Sequence, residues 1–425
     1  MRLVEKKRVT ILGLGETGLA SALFLKKKGY EIFVSDSQRT EALENRSARL
    51  RSEKIPVELG GHTIEKIGRC DWVLLSPGIS PGSEVYQALS KKGIPRVSEI
   101  EVASWFFTGE VIAVTGTSGK TTVTTLLGRV FHAHGREIVS CGNIGNPWIG
   151  ELDKPTCPNR IILEISSFQL LHTFSLRPRM GILLNLGLNH LDWHPSMEDY
   201  VAAKLRLFQH QTPEDFALIR EEDRQRFFPH FPFRAKVISW EAQEAQDSNQ
   251  ALLYEITRIQ GLDPAKTREV LSNFRGLEHR LEKVAERDGV SFVNDSKCTT
   301  LEALAWALGR SLDGKVILLA GGHAKANDFR PVRDLLSQKV RQAILYGEAR
   351  ELLRDNWSGA IPLSQAADLR EAFQTGLKIA QAGDTILLSP ACASFDQFNH
   401  YKERGEFFKK LVAEALHTTP TFLSS

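Results

Sequence analysis

Short apolar runs alternate with helix-length amphipathic stretches along almost the whole chain. Runs at 9–12, 32–34, 72–75, 111–114, 161–163, 182–184, 316–320, 343–345 and 385–388 are rich in Val, Ile and Leu, with little polar alternation. Strands buried on both faces read this way, as in parallel sheets covered by helices. Between them, residues 17–28, 120–134, 198–210 and 366–380 carry helical spacing of apolar positions. The alternation predicts repeated β-α units and an α/β fold. One break falls near 95–98, between a complete set of β-α units and the strand at 111. A second falls near 275–277, where a helical stretch ends in Gly276 and a strand-rich section begins. Three domains are expected, at 1–98, 99–277 and 278–425.

Composition agrees and removes some functions. At about 100–200 residues per domain, 425 residues allow two to four units. The chain has 54 Lys plus Arg against 51 Asp plus Glu, a net charge of +3. That argues against a nucleic-acid footprint or a polybasic membrane anchor spread over the whole chain. The basic start followed by 9–14 faintly mimics a signal peptide, but Thr10 and Gly13 interrupt a run already too short. No stretch approaches the length of a membrane span. Five scattered cysteines without a C-x-x-C spacing favour a reducing compartment. A soluble, cytoplasmic protein without nucleic-acid or membrane partners is expected.

Two glycine loops carry the first chemistry. Gly13-Leu14-Gly15-Glu16-Thr17-Gly18 follows the first strand and opens a helix, and Asp36 ends the next strand. Such a loop lets backbone approach a phosphate at a helix N-terminus, and an acid at that distance can hold a ribose. Alone, this reads as a dinucleotide site, or as a turn needed only for tight strand-helix packing. The second loop is sharper: a strand at 111–114 enters Thr115-Gly116-Thr117-Ser118-Gly119-Lys120-Thr121-Thr122. Backbone N–H groups there can cradle phosphates, Lys120 can neutralise them, and the Thr121 hydroxyl can ligate Mg²⁺. Val114 stands where the longer P-loop pattern has its first glycine. Glu164 ends the next apolar strand, where a P-loop protein keeps its Mg²⁺-directed acid.

Other polar clusters follow later strands. Asn189-His190-Leu191-Asp192-Trp193-His194 could bind metal or phosphate, or serve only turn chemistry. Spacing alone makes Lys204 a solvated lysine of the helix 198–210. In the last third, Gly276 to Glu282 and Val293 to Thr299 bracket a short strand pair. The latter segment, Gly321 to Lys325 and Ser389 to Phe398 each sit at the C-terminal end of a predicted strand, the edge where open α/β sheets bind ligands.

Taken together, these residues resemble the Mur ligase family of ATP-dependent amide ligases. The likeness runs through Thr115 to Thr122, Glu164-Ile165-Ser166-Ser167, Asn189-His190, His279-Arg280 and Asn294-Asp295-Ser296-Lys297, in order. It implies a Rossmann-like N-terminal UDP-binding domain, a central P-loop ATPase-like domain and a C-terminal Rossmann-like amino-acid domain. Gly13 to Gly18, Ser76-Pro77-Gly78-Ile79, Leu163 to Leu170 and Ser389 to Phe398 are most similar to the members that add D-glutamate to UDP-N-acetylmuramoyl-L-alanine.

The resemblance assigns roles. Gly15, Thr17, Asp36, Ser37, Ser76, Pro77 and Gly78 would hold the UDP part, with Asn143, Ser166 and His190 toward the sugar and alanine. Gly116, Thr117, Ser118, Gly119, Lys120, Thr121, Thr122, Asn249, Arg280 and Asp295 would bind ATP. Thr299, Lys325, Ser394 and Phe395 would bind D-glutamate. Thr121, Glu164, His190 and Lys204 would serve two Mg²⁺ ions, with Lys204 carrying a CO₂-derived carbamate; surrounding cations would lower its pKa to supply the neutral amine. Lys120, Glu164, His190, Lys204 and Lys297 would form the catalytic set, completed by domain closure, in a protein expected to be a monomer.

The sequence departs from the family pattern at His323, commonly an acid, and at Trp193, commonly basic. The segment between Phe216 and Leu252 is short, and of an expected asparagine pair only Asn249 matches, with Gln246 at the other position. Competing readings are another ligase of the superfamily, a folylpolyglutamate synthase, a nicotinamide oxidoreductase using Gly13 to Gly18, and a non-catalytic nucleotide-binding regulator.

Overall fold

The computed structural model describes residues 3–187, 194, 196–241, 248–274, 276–324 and 326–417. The chain divides into two compact units, Met1–Phe274 and Arg275–Ser425. The first holds two sheets and the second holds one.

The first sheet contains β1 (Arg8–Leu12), β2 (Glu31–Asp36), β3 (Val57–Leu59), β4 (Trp72–Leu75) and β5 (Arg96–Val97), in the order β3-β2-β1-β4-β5 and all parallel. The second contains β6 (Glu110–Thr115), β7 (Val139–Gly142), β8 (Arg160–Glu164), β9 (Met180–Leu183), β10 (Phe216–Arg220) and β11 (Lys236–Trp240). Its order is β11-β10-β9-β6-β8-β7, again parallel. In both, the strand feeding the glycine loop lies inside the sheet with neighbours on each side. Those strands are buried along almost their whole length, which explains their unbroken apolar runs.

The second unit contains β12 (Glu282–Arg287), β13 (Val290–Asn294), β14 (Val316–Gly321), β15 (Val340–Tyr346), β16 (Leu363–Gln365) and β17 (Thr385–Ala391). Their order is β12-β13-β17-β14-β15-β16. Only the β12-β13 hairpin is antiparallel, turning through Asp288-Gly289 with φ of +52° and +75°. Positive φ at both turn residues matches the right-handed twist of the strands, and Asp-Gly tolerates it.

Eight of the nine apolar runs fall within strands and the ninth, 182–184, overlaps β9 and passes its end by one residue, but several other strands had no such signal. β3, β11 and β16 lie at sheet edges and are only partly buried, so no apolar run marks them. The helix expected at 198–210 is shorter: Met197–Leu205 is α-helical, and Arg206–Phe208 tightens into a 3₁₀ turn. The tight turn drives Phe208 onto β9, where its ring lies 2.9 Å from the position a Cβ on Gly181 would take. Among the described residues no helix is long and apolar enough to cross a membrane.

Candidate active site

β6 delivers the chain into the second glycine loop, and the helix Lys120–Ala133 begins at once. Gly119 has φ of +79°, a conformation that disfavours side chains. The exit of β9 clamps the loop. Asn185 accepts from the Thr117 N–H through its carbonyl (3.0 Å) and from the Ser118 N–H through its side chain (2.9 Å). The Thr117 hydroxyl accepts from the Gly187 N–H (3.0 Å) and pairs with the Tyr200 hydroxyl (2.9 Å). Asn249 Oδ1 lies 3.7 Å from the position of a Cβ on Gly119, so Asn249 sits beside the loop. Its expected companion Gln246 lies outside the described residues.

Positive charge converges here. Lys120 Nζ donates to the carbonyls of Gly116 (2.9 Å) and Thr117 (3.1 Å). Lys204 Nζ donates to the same Gly116 carbonyl (3.0 Å) and to Thr115 Oγ1 (3.3 Å). Spacing had suggested a solvated Lys204, yet it is 1 % exposed. Burial first, and Lys120 second, hold its pKa well below the ordinary lysine value. The expected lowering by cations is therefore the smaller cause.

Glu164, the last residue of β8, is buried. Its Oε1 accepts from Asn143 Nδ2 (2.8 Å), and its carbonyl accepts from the Asn143 N–H (2.9 Å). Its Oε2 has no hydrogen-bond partner among the described residues. A buried carboxylate oxygen in that state is costly, and a divalent cation would relieve it. Glu164 and the nearly buried Thr121 hydroxyl offer the hard oxygen donors that Mg²⁺ takes. His190 lies outside the described residues, as do Asn189, Asp192 and Trp193. His194 is buried, contacts the Ser167 hydroxyl (3.0 Å) and stacks on Phe168. The Ser166 hydroxyl caps the helix Ser167–Leu171 in a reciprocal box with Gln169.

The first glycine loop is built differently. A Cβ on Gly18 would lie 1.9 Å from the Gly13 carbonyl oxygen, and one on Gly13 would meet the Ser76 side chain at 2.4 Å. Asp36 Oδ2 accepts from the Leu14 N–H (2.7 Å) and Oδ1 from the Gln38 N–H (2.9 Å). The carboxylate thus holds the loop, while Ser37 beside it is exposed. Thr17, Ser76 and Pro77 border a small cavity closed by Glu99, Gln169 and His172. Burial pushes the Glu99 carboxyl up to about 7 and pulls the His172 imidazole down to about 4. Gly15 and Gly78 have open space around their Cα atoms.

In the second unit the three polar clusters follow β13, β14 and β17, which are adjacent as β13-β17-β14. His323 and Ala393 exchange two backbone hydrogen bonds of 2.9 Å, joining the last two clusters. Asp295 accepts from the Ser389 hydroxyl (2.8 Å) and the Leu281 N–H (3.3 Å). Burial pushes its carboxyl up to about 7. Lys297 Nζ lies 5.6 Å from the centre of the Tyr401 ring. Arg280 and Thr299 are half-buried, Ser394 is buried, and Phe395 is exposed. His323 Nδ1 lies 2.9 Å from Glu348 Oε2. Lys325 lies outside the described residues. Sequence reasoning missed Asn185, which follows the strand β9, and Tyr200, Tyr401 and Arg404, which lie in no glycine or strand-end motif; their tertiary contacts mark them.

Strand, glycine loop, lysine and buried acid in this arrangement define a P-loop protein suited to a nucleoside triphosphate and Mg²⁺. Three family models match in chain order: "Mur ligase MurD-like, N-terminal domain" at 7–98, "Mur ligase middle domain" at 114–261 and "Mur ligase, glutamate ligase domain" at 279–392. The chain belongs to the Mur ligase family. It is 36% identical to the UDP-N-acetylmuramoylalanine–D-glutamate ligase of Acidobacterium capsulatum, over 96% of each chain. It is 35% identical to the protein of the same name from Aquifex aeolicus, over 95% of this chain and 97% of that one. Two solved structures share the three-domain fold. The UDP-N-acetylmuramate-alanine ligase of Thermotoga maritima superposes with a TM-score of 0.58 at 15% identity, over 96% of this chain and 99% of that one. The MurF ligase of the same organism, solved with ADP, gives 0.57 at 14%, over 98% and 100%.

Proposed function

We propose that this chain joins D-glutamate to UDP-N-acetylmuramoyl-L-alanine at the expense of ATP, in the cytoplasmic stage of peptidoglycan precursor synthesis that supports cell shape and division. One observation carries the reading: relatives 33–36% identical over nearly the full length all bear the name of that ligase. The P-loop geometry supports it.

A carboxylate is a poor acyl donor because its leaving group would be oxide. Transfer of the ATP γ-phosphoryl to the alanine carboxylate gives an acyl phosphate and ADP. The D-glutamate amine attacks that carbonyl, and the tetrahedral intermediate loses phosphate and a proton to leave the amide. The chain's part is charge neutralisation and positioning. Lys120 would exchange its carbonyl partners for the phosphates, and the N–H groups from Gly116 to Thr122 would cradle them. Lys297 would meet the transferring group, with Asn249, Arg280 and Asp295 on ATP.

Mg²⁺ at two sites would neutralise the phosphates, one held by Thr121 and the other by Glu164, His190 and a carbamate on Lys204. Burial lowers the Lys204 pKa and so favours the neutral amine that this step needs. The nitrogen of the neutral amine would bond to the carbon of CO₂ and release one proton, turning a neutral group into an anion. The UDP part falls to Gly15, Thr17, Asp36, Ser37, Ser76, Pro77 and Gly78, with Asn143, Ser166 and His190 toward the alanine. D-Glutamate falls to Thr299, Lys325, Ser394 and Phe395. We also infer domain limits of 1–98, 99–277 and 278–425, and a monomer.

A phosphate-release assay with ATP, Mg²⁺ and UDP-N-acetylmuramoyl-L-alanine tests this, supplying D-Glu, L-Glu, L-Ala or L-Lys in turn. Release that depends on D-Glu is the expected result. Release indifferent to the amino acid overturns the reading.

A further inference from the structure

Arg404 is completely buried, although it is one of the longest charged side chains in the protein. It sits in the first turn of the helix Tyr401–His417, at the end where a helix dipole disfavours a cation. Its guanidinium bonds are to oxygens of three different strand ends. Nε donates to Ser296 Oγ (3.1 Å) and Nη2 to the Ser296 carbonyl (2.9 Å), both just beyond β13. Nη2 also reaches the Cys392 carbonyl (3.0 Å) and Nη1 the Ala393 carbonyl (3.2 Å), beyond β17. Nη1 completes the set at the Gly321 carbonyl (3.5 Å), the last residue of β14.

Those three segments carry the clusters that sequence and resemblance direct at the amino acid. Ser296 is three residues from Thr299, Gly321 precedes Gly322-His323, and Ala393 precedes Ser394-Phe395. The approach is close. A Cβ on Gly322 would lie 2.2 Å from the Ala393 carbonyl and 3.1 Å from Arg404 Nη1. Ala391, which has a side chain, is held at φ of +58°. Among the described residues, Arg404 forms no ion pair with a carboxylate. A buried cation held mainly by carbonyl dipoles is expensive, with the buried Asp295 as an electrostatic neighbour rather than an ion-pair partner.

We propose that Arg404 is the positioning residue of the amino-acid site. It holds the ends of β13, β17 and β14 in the one arrangement that binding of the dicarboxylic amino acid requires. This rests on the D-glutamate ligase reading. Arg404 acts through the loops and has no need to touch the substrate itself.

The test uses the full-length enzyme and measures KM separately for D-glutamate, ATP and UDP-N-acetylmuramoyl-L-alanine. In R404M, losing charged hydrogen bonds should raise KM for D-glutamate about 30-fold. The other two constants should stay within about two-fold. R404K keeps the charge but not the planar fork, so it should recover part of the loss. S296A removes the Nε bond and the hydroxyl's own bond to the Tyr401 carbonyl (2.7 Å) but leaves the charge, and should raise KM for D-glutamate about three-fold. If R404M does not fold, as read by circular dichroism, R404K and S296A decide. KM for D-glutamate unchanged in both, or all three constants rising together, overturns the proposal. A wild-type enzyme without D-glutamate dependence would instead remove the reading beneath it.

Discussion

The first unit contains two glycine loops that solve the same backbone problem and differ in what they leave unsatisfied. Each follows an interior parallel strand and opens a helix, and each needs glycine where backbone or side chain approaches closely. At Gly13 to Gly18, the protein's own groups complete the arrangement. Asp36 takes the Leu14 N–H, Ser76 fills the space over Gly13, and the Gly18 backbone rests on the Gly13 carbonyl. At Gly116 to Gly119, two lysines crowd onto one carbonyl while a buried carboxylate oxygen on β8 lacks a partner among the described residues. The first loop is closed by the protein's own groups. The second is held at an electrostatic cost that phosphates and a metal ion would relieve.

The contrast can be attacked from both sides. Replacing Lys120 by Met should cost about 10³-fold in kcat/KM, because on the proposed mechanism it removes the charge that neutralises the transferring phosphoryl group. Circular dichroism should be unchanged, and an effect below tenfold would break the comparison. Gly18→Ala should act on folding instead. Its methyl meets backbone rather than a flexible side chain, so thermal or denaturant melts should show a loss of about 3 kcal/mol.

Lys204→Met sharpens the idea that the second loop trades stability for chemistry. A lysine whose folded pKa is depressed costs stability once pH falls below the unfolded value of about 10.4. The cost is full below the folded value and absent above the unfolded one. The variant should therefore melt higher than wild type at pH 8 in bicarbonate-free buffer, lose that advantage above pH 11, and be inactive. The smallest effect is expected at Asp36→Ala. Losing the Leu14 contact should cost about 1–2 kcal/mol, with a raised KM for the UDP substrate and unchanged KM for ATP.

Much of the architecture was readable along the chain. Strands buried on both faces announce themselves as unbroken apolar runs, so β1, β4, β6, β8, β14 and β17 were all legible. Edge strands such as β3 and β16 were not, because half-exposed residues carry no such run. Glycine spacing and Lys120 exposed the phosphate loop, since that chemistry is local in sequence. Lys204 was not legible from spacing: it lies 89 residues beyond Thr115, whose hydroxyl it contacts. Resemblance alone singled it out.

The sequence by itself determined the α/β class, the two glycine loops and the three polar strand ends, because each depends on periodicity or on neighbours within a few positions. Tertiary structure decided which of those groups are costly. It buried Lys204 against Lys120, left one Glu164 oxygen without a partner among the described residues, and drove Arg404 into the centre of three strand ends. Desolvation is the physical reason. Whether a charge is cheap or expensive depends on what surrounds it in space, and those surroundings come from strands and helices far apart in the chain.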